Sequence, residues 1–264
     1  QPKPIRLKDY STPSYTISTV HLTFNLNGKN TTVKSVMQMA CHKKGDALKL
    51  DALQLKLLSI AVDGRPLNSS HYEVAETTLT IHDLPENFTL EIENEINPSE
   101  NKPLEGLYKS SGIYCTQNEP EGFRRITYYL DRPDVMAKFT TKIIANKERY
   151  PVLLSNGNPI ASGDLAGGLH FIEWEDPFAK PAYLYALVAG DLGLVTDSFK
   201  TMSGREIDLR IYCDKGNEAK CDHAMESLKK SMKWDEEVYG LEYDLDIFMI
   251  VAVDSFNMGA MENK

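Results

Sequence analysis

The sequence predicts a mainly β fold, with packed antiparallel sheets over residues 1–191 followed by the start of an α+β domain over 192–264. Three observations predict it. Apolar and polar residues alternate through most of the first part, turn dipeptides separate the alternating runs, and the first long stretch of helical spacing begins only at Asn217.

The elements follow in order. Val20, Leu22, Phe24 and Leu26 alternate with His21, Thr23 and Asn25, which puts the apolar set on one face of a half-buried strand, and Asn27-Gly28 supplies a hairpin turn. Leu53, Leu55 and Leu57 repeat the alternation before a turn at Asp63-Gly64. Leu79 and Ile81 precede a loop, and Phe88, Leu90 and Ile92 follow Pro85. Further strands are predicted at 127–130, 139–144, 152–154, 169–174 and 183–188. Turn chemistry at Asn156-Gly157-Asn158-Pro159, Gly163-Asp164 and Gly167-Gly168 breaks up this stretch. Ile207, Leu209, Ile211 and Cys213 give one more alternating strand. Residues 217–239 then read as a helix: Cys221, Met225, Leu228 and Met232 recur at helical spacing, lysines 229, 230 and 233 fall between them, and Gly240 stops it. That stripe is a core face, not a cofactor site. The apolar run 247–253 is a buried strand.

A length of 264 residues leaves room for two domains of roughly 100–200 residues each. No run approaches the ~18 apolar residues of a membrane-spanning helix, so no membrane partner is expected. The net charge of −9 argues against a nucleic-acid partner, which calls for a basic face. Cys41, Cys115, Cys213 and Cys221 are scattered without a C-x-x-C pair, pointing to reduced thiols and a cytoplasmic location, although Cys213 and Cys221 could pair across a loop. The opening Gln1-Pro2-Lys3-Pro4 lacks the charged and apolar regions of a signal peptide, so the sequons at Asn30, Asn68 and Asn87 read as chance matches. None of the six histidines forms a His-x-x-x-His pair or precedes a glutamate, and no metal site is expected in this chain.

The closing Gly259-Ala260-Met261-Glu262-Asn263 resembles the exopeptidase signature of the M1 zinc aminopeptidases. The resemblance extends through Thr116-Gln117-Asn118-Glu119-Pro120-Glu121-Gly122-Phe123-Arg124, Tyr128-Tyr129-Leu130-Asp131-Arg132-Pro133-Asp134, Leu154-Ser155-Asn156-Gly157-Asn158 and Met232-Lys233-Trp234-Asp235-Glu236. Together these are similar to the bacterial aminopeptidase N (alanyl aminopeptidase) branch. The resemblance implies a saddle-like β-sandwich over 1–191 and the incomplete start of a thermolysin-like catalytic domain over 192–264. It also implies zinc in the full-length enzyme, bound by a His-Glu-x-x-His motif and a spaced glutamate beyond Lys264, so this chain alone is expected to be inactive.

The implied substrates are peptides with a free N-terminus, and the full-length enzyme is expected to be a monomer. Glu262 and Glu119 would bind the substrate α-ammonium. Gly259 and Ala260, with Met261 and Asn263 beside them, would form an edge strand that pairs with the substrate backbone. Gln117 and Met258 would line the pocket for the first side chain, where a methionine can repack around varied groups. Two alternatives stay open: a non-catalytic β-sandwich binding or regulatory module that keeps M1-like motifs, and an exported relative whose sequons carry glycans. The enzyme reading differs from the module in requiring the zinc motif after residue 264.

Overall fold

The computed structural model describes residues 4, 6–26, 28, 30–253, 256 and 258–264; the opening Gln1-Pro2-Lys3 and the expected turn residue Asn27 lie outside them. In chain order the first strands are β1 (Tyr15–Asn25), β2 (Thr31–Cys41), β3 (Leu48–Asp51), β4 (Lys56–Val62), β5 (Arg65–Pro66), β6 (Tyr72–Val74), β7 (Thr78–Ile81) and β8 (Asn87–Ile96). Next come β9 (Gly106–Ser110), β10 (Ile113–Gln117), β11 (Met136–Asn146), β12 (Val152–Ser155), β13 (Asn158–Leu165), β14 (Leu169–Pro181) and β15 (Leu187–Gly190). The last elements are β16 (Gly193–Lys200), β17 (Glu206–Cys213), the helix α1 (Asp222–Tyr239) and β18 (Ile247–Val251).

The main sheet has the order β13-β14-β11-β1-β2-β8-β4-β5. It is antiparallel except where β1 lies parallel to β11, with Val20 beside Phe139 and Phe24 beside Ile143. A parallel pair needs a long crossover, and the whole of β2 to β10 supplies it. A bulge between Ile17 and Thr19 explains the burial of β1: it shifts the alternation by one residue, so Tyr15 and Ile17 face the core from one register and Val20, Leu22 and Phe24 from the next. The smaller sheets β12-β15-β10-β9 and β3-β7-β6 contribute Leu153, Leu187, Tyr114, Leu50 and Leu79 to the same buried cluster.

Several local expectations are corrected. Residues 53 and 55 precede β4, because Gln54 adopts a left-handed conformation that breaks the strand. At 127–130 only Tyr129 pairs, through a single bridge to Asp51. Residues 183–184 belong to a 3-10 turn, Ala182–Leu184, ahead of the short β15. Gly163-Asp164 is no turn but lies inside β13, where a Cβ on Gly163 would come within 3.1 Å of the Phe171 ring; the hairpin turns at Gly167-Gly168, both at positive φ. The helix starts at Asp222, after a separate 3-10 turn at Glu218–Lys220; Asn217 lies outside helical dihedrals, and Cys221, though in the αR region, caps α1 instead of joining it. It ends as expected on Gly240, left-handed, whose N–H returns to the Glu236 carbonyl at 3.1 Å.

The sheet β16-β17-β18 has two apolar faces. Ile207, Leu209, Ile211 and Cys213 pack beneath Met225, Leu228 and Met232 of α1, forming a second buried cluster. From the opposite side Tyr212 and Ile247 join the main core. Cys213 and Cys221 are both buried free thiols. Burial first, and the neighbouring Cys221 second, push the Cys213 thiol up to about 11.

Candidate functional site

Gln117 is the last residue of β10, and the chain doubles back directly after it. Its Oε1 accepts from the Glu119 N–H at 3.1 Å, and the Gly122 N–H returns to the Asn118 carbonyl at 3.2 Å. Gly122 permits that return: a Cβ there would lie 2.6 Å from the Gln117 carbonyl oxygen and 2.8 Å from Asn118 Cα. The Pro120–Glu121 peptide of the loop is cis. The loop leaves the Glu119 side of the turn exposed while Gln117 is only 3% exposed. Gln117 Nε2 is buried and meets no acceptor among the described residues, an amide donor left open beside Glu119.

Phe123 anchors the far end of this loop. Its ring is fully buried between Tyr129, Tyr185 and Phe139, with centroids 4.8, 5.4 and 5.9 Å away. Arg124 then ties the loop to the 128–134 motif: its Nε and its backbone N–H donate to Asp131 Oδ2 at 2.9 and 3.1 Å, and its guanidinium reaches Glu121 at 3.1 Å. Burial pushes the Asp131 carboxyl above its ordinary value, and the hydrogen bonds from Arg124 pull the other way. Two of the motifs singled out in the sequence are therefore one interlocked structure behind Glu119.

The second segment arrives from the end of the chain. Met258 is 43% exposed, Gly259, Ala260 and Glu262 are exposed, and Met261 and Asn263 are half-buried. Asn263 Nδ2 donates to the Leu184 carbonyl at 3.1 Å and reaches the Tyr185 carbonyl at 3.5 Å. Asn118 Nδ2 donates to that same Tyr185 carbonyl at 2.8 Å. One peptide oxygen thus holds the neighbours of both Glu119 and Glu262. Lys264 fastens the end of this segment, pairing with Asp244 at 2.6 Å and lying 5.1 Å from the centre of the Phe178 ring.

The edge strand expected at Gly259 and Ala260 is not formed. Residues 258–264 are irregular; β18 ends at Val251 on the sheet edge, and no described strand pairs with the 259–260 backbone. Sequence reasoning missed Asn118, whose signal was its place beside Gln117 and Glu119, and Tyr185, whose contribution is a backbone carbonyl that no side-chain pattern reveals.

Two other features lie apart from this site. A groove of about 630 Å³ runs between β16 and α1, lined by Val195, Phe199, Met225 and Lys229 among others, and none of the expected site residues borders it. Among the described residues, no group of three or more His, Cys, Asp or Glu side chains could hold a metal ion. Glu119 and Glu262 do not make up a zinc-binding set.

Comparison with known proteins shows the family. Residues 10–184 match the Peptidase M1 N-terminal domain and residues 223–264 the Peptidase family M1 domain. Aminopeptidase N of Escherichia coli (strain K12) is 56% identical across 100% of this chain, and Aminopeptidase N of Caulobacter vibrioides is 52% identical across 100% of it. The chain spans 30% of the length of each of these relatives. The crystal structure of Legionella pneumophila aminopeptidase A in complex with aspartic acid superposes with a TM-score of 0.95 at 37% identity, over 98% of this chain and 31% of that one. On these matches and this mainly β architecture, the chain belongs to the M1 peptidase family.

Proposed function

We propose that this chain is the amino-terminal, substrate-recognising portion of a metallo-aminopeptidase that removes unblocked N-terminal residues from peptides. The observation that carries the reading is the shared Tyr185 carbonyl, which sets the Glu119 loop and the Glu262 segment side by side. A peptide α-ammonium has an ordinary pKa of ~7.7–8.0 and is largely charged at neutral pH. Two carboxylates converging on it form charge-assisted hydrogen bonds, and the register they impose presents only the first peptide bond for cleavage. The open Gln117 amide and the exposed Met258 suit a pocket for the first side chain, one polar and one adaptable wall. Gly259, Ala260 and Met261 would then meet the substrate backbone as a segment that takes up pairing on binding.

The family implies zinc, and in this reading its ligands belong to the part of the enzyme outside these residues. We place a division near residue 191: the second buried cluster is built from residues 207–232, although Leu192, Tyr212 and Ile247 join the main core across that point. The free cysteines favour a reducing, cytoplasmic compartment, and the reading takes the enzyme as a monomer acting on peptides, with neither nucleic acid nor membrane as partner.

The test is Glu262→Gln and Glu119→Gln in the intact peptidase. Each is expected to lower kcat/KM on free-amine substrates by about 10- to 1,000-fold with metal content unchanged. Full activity in both variants, or loss of metal in step with activity, would overturn the assignment.

A further inference from the structure

We propose that Asn156 is a positioning residue for substrate-amine recognition: it fixes the Leu184–Ala186 backbone on which both carboxylate-bearing segments hang. The proposal rests on the ammonium-binding reading above. Asn156 lies in the turn after β12, in a motif to which that reading gives no task. Its Nδ2 donates to the Leu184 carbonyl at 3.0 Å, and its Oδ1 accepts from the Ala186 N–H at 2.7 Å. Leu184 O therefore receives Asn156 and Asn263, and Tyr185 O receives Asn118 and Asn263. Three asparagines from three distant parts of the chain end on two consecutive carbonyls.

Geometry explains why an asparagine is needed there. The β12–β15 ladder ends at Ser155 opposite Leu187, so the backbone of 184–186 lies just past regular pairing. The Asn156 side-chain amide continues the ladder by offering one donor and one acceptor, as a peptide group would. Ser155 adds an Oγ–H bond to the Ala186 carbonyl at 2.7 Å. The turn presenting Asn156 is itself pressed against β14: Gly157 has φ +85°, and a Cβ there would lie 2.0 Å from the Glu175 carbonyl oxygen. Asn156 is thus held from behind while it holds the 184–186 segment in front. Releasing it lets the Leu184 and Tyr185 carbonyls move, and Asn118 and Asn263 move with them, shifting Glu119 against Glu262. Misplacement by a fraction of an ångström is enough to weaken a two-point clamp on an ammonium group.

The experiment uses the intact peptidase with Asn156→Ala, Asn156→Asp, Glu119→Gln and Glu262→Gln. Each is assayed on alanyl p-nitroanilide and on the propionyl p-nitroanilide that lacks the amine, with metal content measured alongside. Asn156→Ala is expected to raise KM for the alanyl substrate and to lower its kcat/KM about tenfold, shrinking the preference for the free amine by the same factor at full metal occupancy. A purely structural role would lower both substrates together and leave that preference intact, which overturns the proposal. If Asn156→Ala does not fold, Asn156→Asp carries the same comparison, because it keeps the acceptor for Ala186 and loses the donor to Leu184. Failure of the ammonium-binding reading shows differently: Glu119→Gln and Glu262→Gln would then keep the free-amine preference. If those two lose it while the Asn156 variants keep it, only the positioning proposal falls.

Discussion

Lys180 holds an ammonium group out of solvent. It is 4% exposed, paired with Asp176, itself 1% exposed, with its ammonium 5.5 Å from the centre of the Phe139 ring. Burial pulls its pKa from 10.5 down to about 8, the attraction of Asp176 only partly offsetting that loss of hydration. Below pH 8 both the folded and the unfolded chain hold the proton, and the full cost of the buried charge is present. Between 8 and 10.5 the unfolded chain holds more protons than the folded one, so this group makes stability rise with pH. Relative to Lys180→Met, the native protein should gain about 2 kcal/mol from pH 7 to 9.5, read from denaturant midpoints. Parallel pH curves for the two proteins would show that the ammonium stays charged throughout. The residue scale is also where the candidate site was most legible: Glu119, Gln117 and the 258–263 residues were all proposed from the family motifs they stand in. The fixing contacts were not, since Gly122 matters for the Cβ it lacks and Tyr185 for its carbonyl.

Among the elements, α1 shows what periodicity can and cannot decide. Met225, Leu228 and Met232 are buried as the spacing requires, over Leu209 and Ile211 of β17. Leu228→Ala should cost about 2–4 kcal/mol by leaving a cavity in this small cluster. Lys230→Ala, which removes an exposed ion pair to Glu226, should change stability by no more than about 0.5 kcal/mol. Urea melts of the intact protein check both, and comparable losses would mean that α1 is held by its charged face instead. The start of the helix was misplaced because acidic and small residues at 217–220 suit a 3-10 turn as well as an α-helix. Strand existence was legible in β8, where Phe88, Leu90 and Ile92 alternate with Thr89, Glu91 and Glu93, but β2 and β16 went unnamed although each has a solvated face. It failed for β10, buried on both faces, where Ile113 to Gln117 shows no alternation to find.

At the scale of the whole molecule, the main sheet and the β16-β17-β18 sheet meet through a polar cluster beside the apolar contact that Tyr212 and Ile247 make with the main core. Asn158, at the start of β13, donates to Asp246 Oδ2 at 2.9 Å and accepts from the Asp246 N–H at 3.1 Å, while Arg205 donates to Asp246 Oδ1 at 3.1 Å. Asp246→Ala should speed hydrogen exchange in β18 by a few-fold and leave β1 and β2 unchanged. A uniform change across all three strands would mean that the polar cluster belongs to one global unfolding unit. By itself the sequence determined the mainly β class, the helix stripe and the family motifs, because period, turn chemistry and motif spacing are local properties of the chain; Glu119 and Glu262 came forward as candidates only through the resemblance those motifs carry. Only the tertiary structure decided that β1 runs parallel to β11, that 127–130 and 183–184 are not strands, and that Asn118, Asn156 and Asn263 share two carbonyls. Those outcomes depend on which distant segments share a core and satisfy one another's backbone groups, a choice made by packing between parts of the chain that no local window contains.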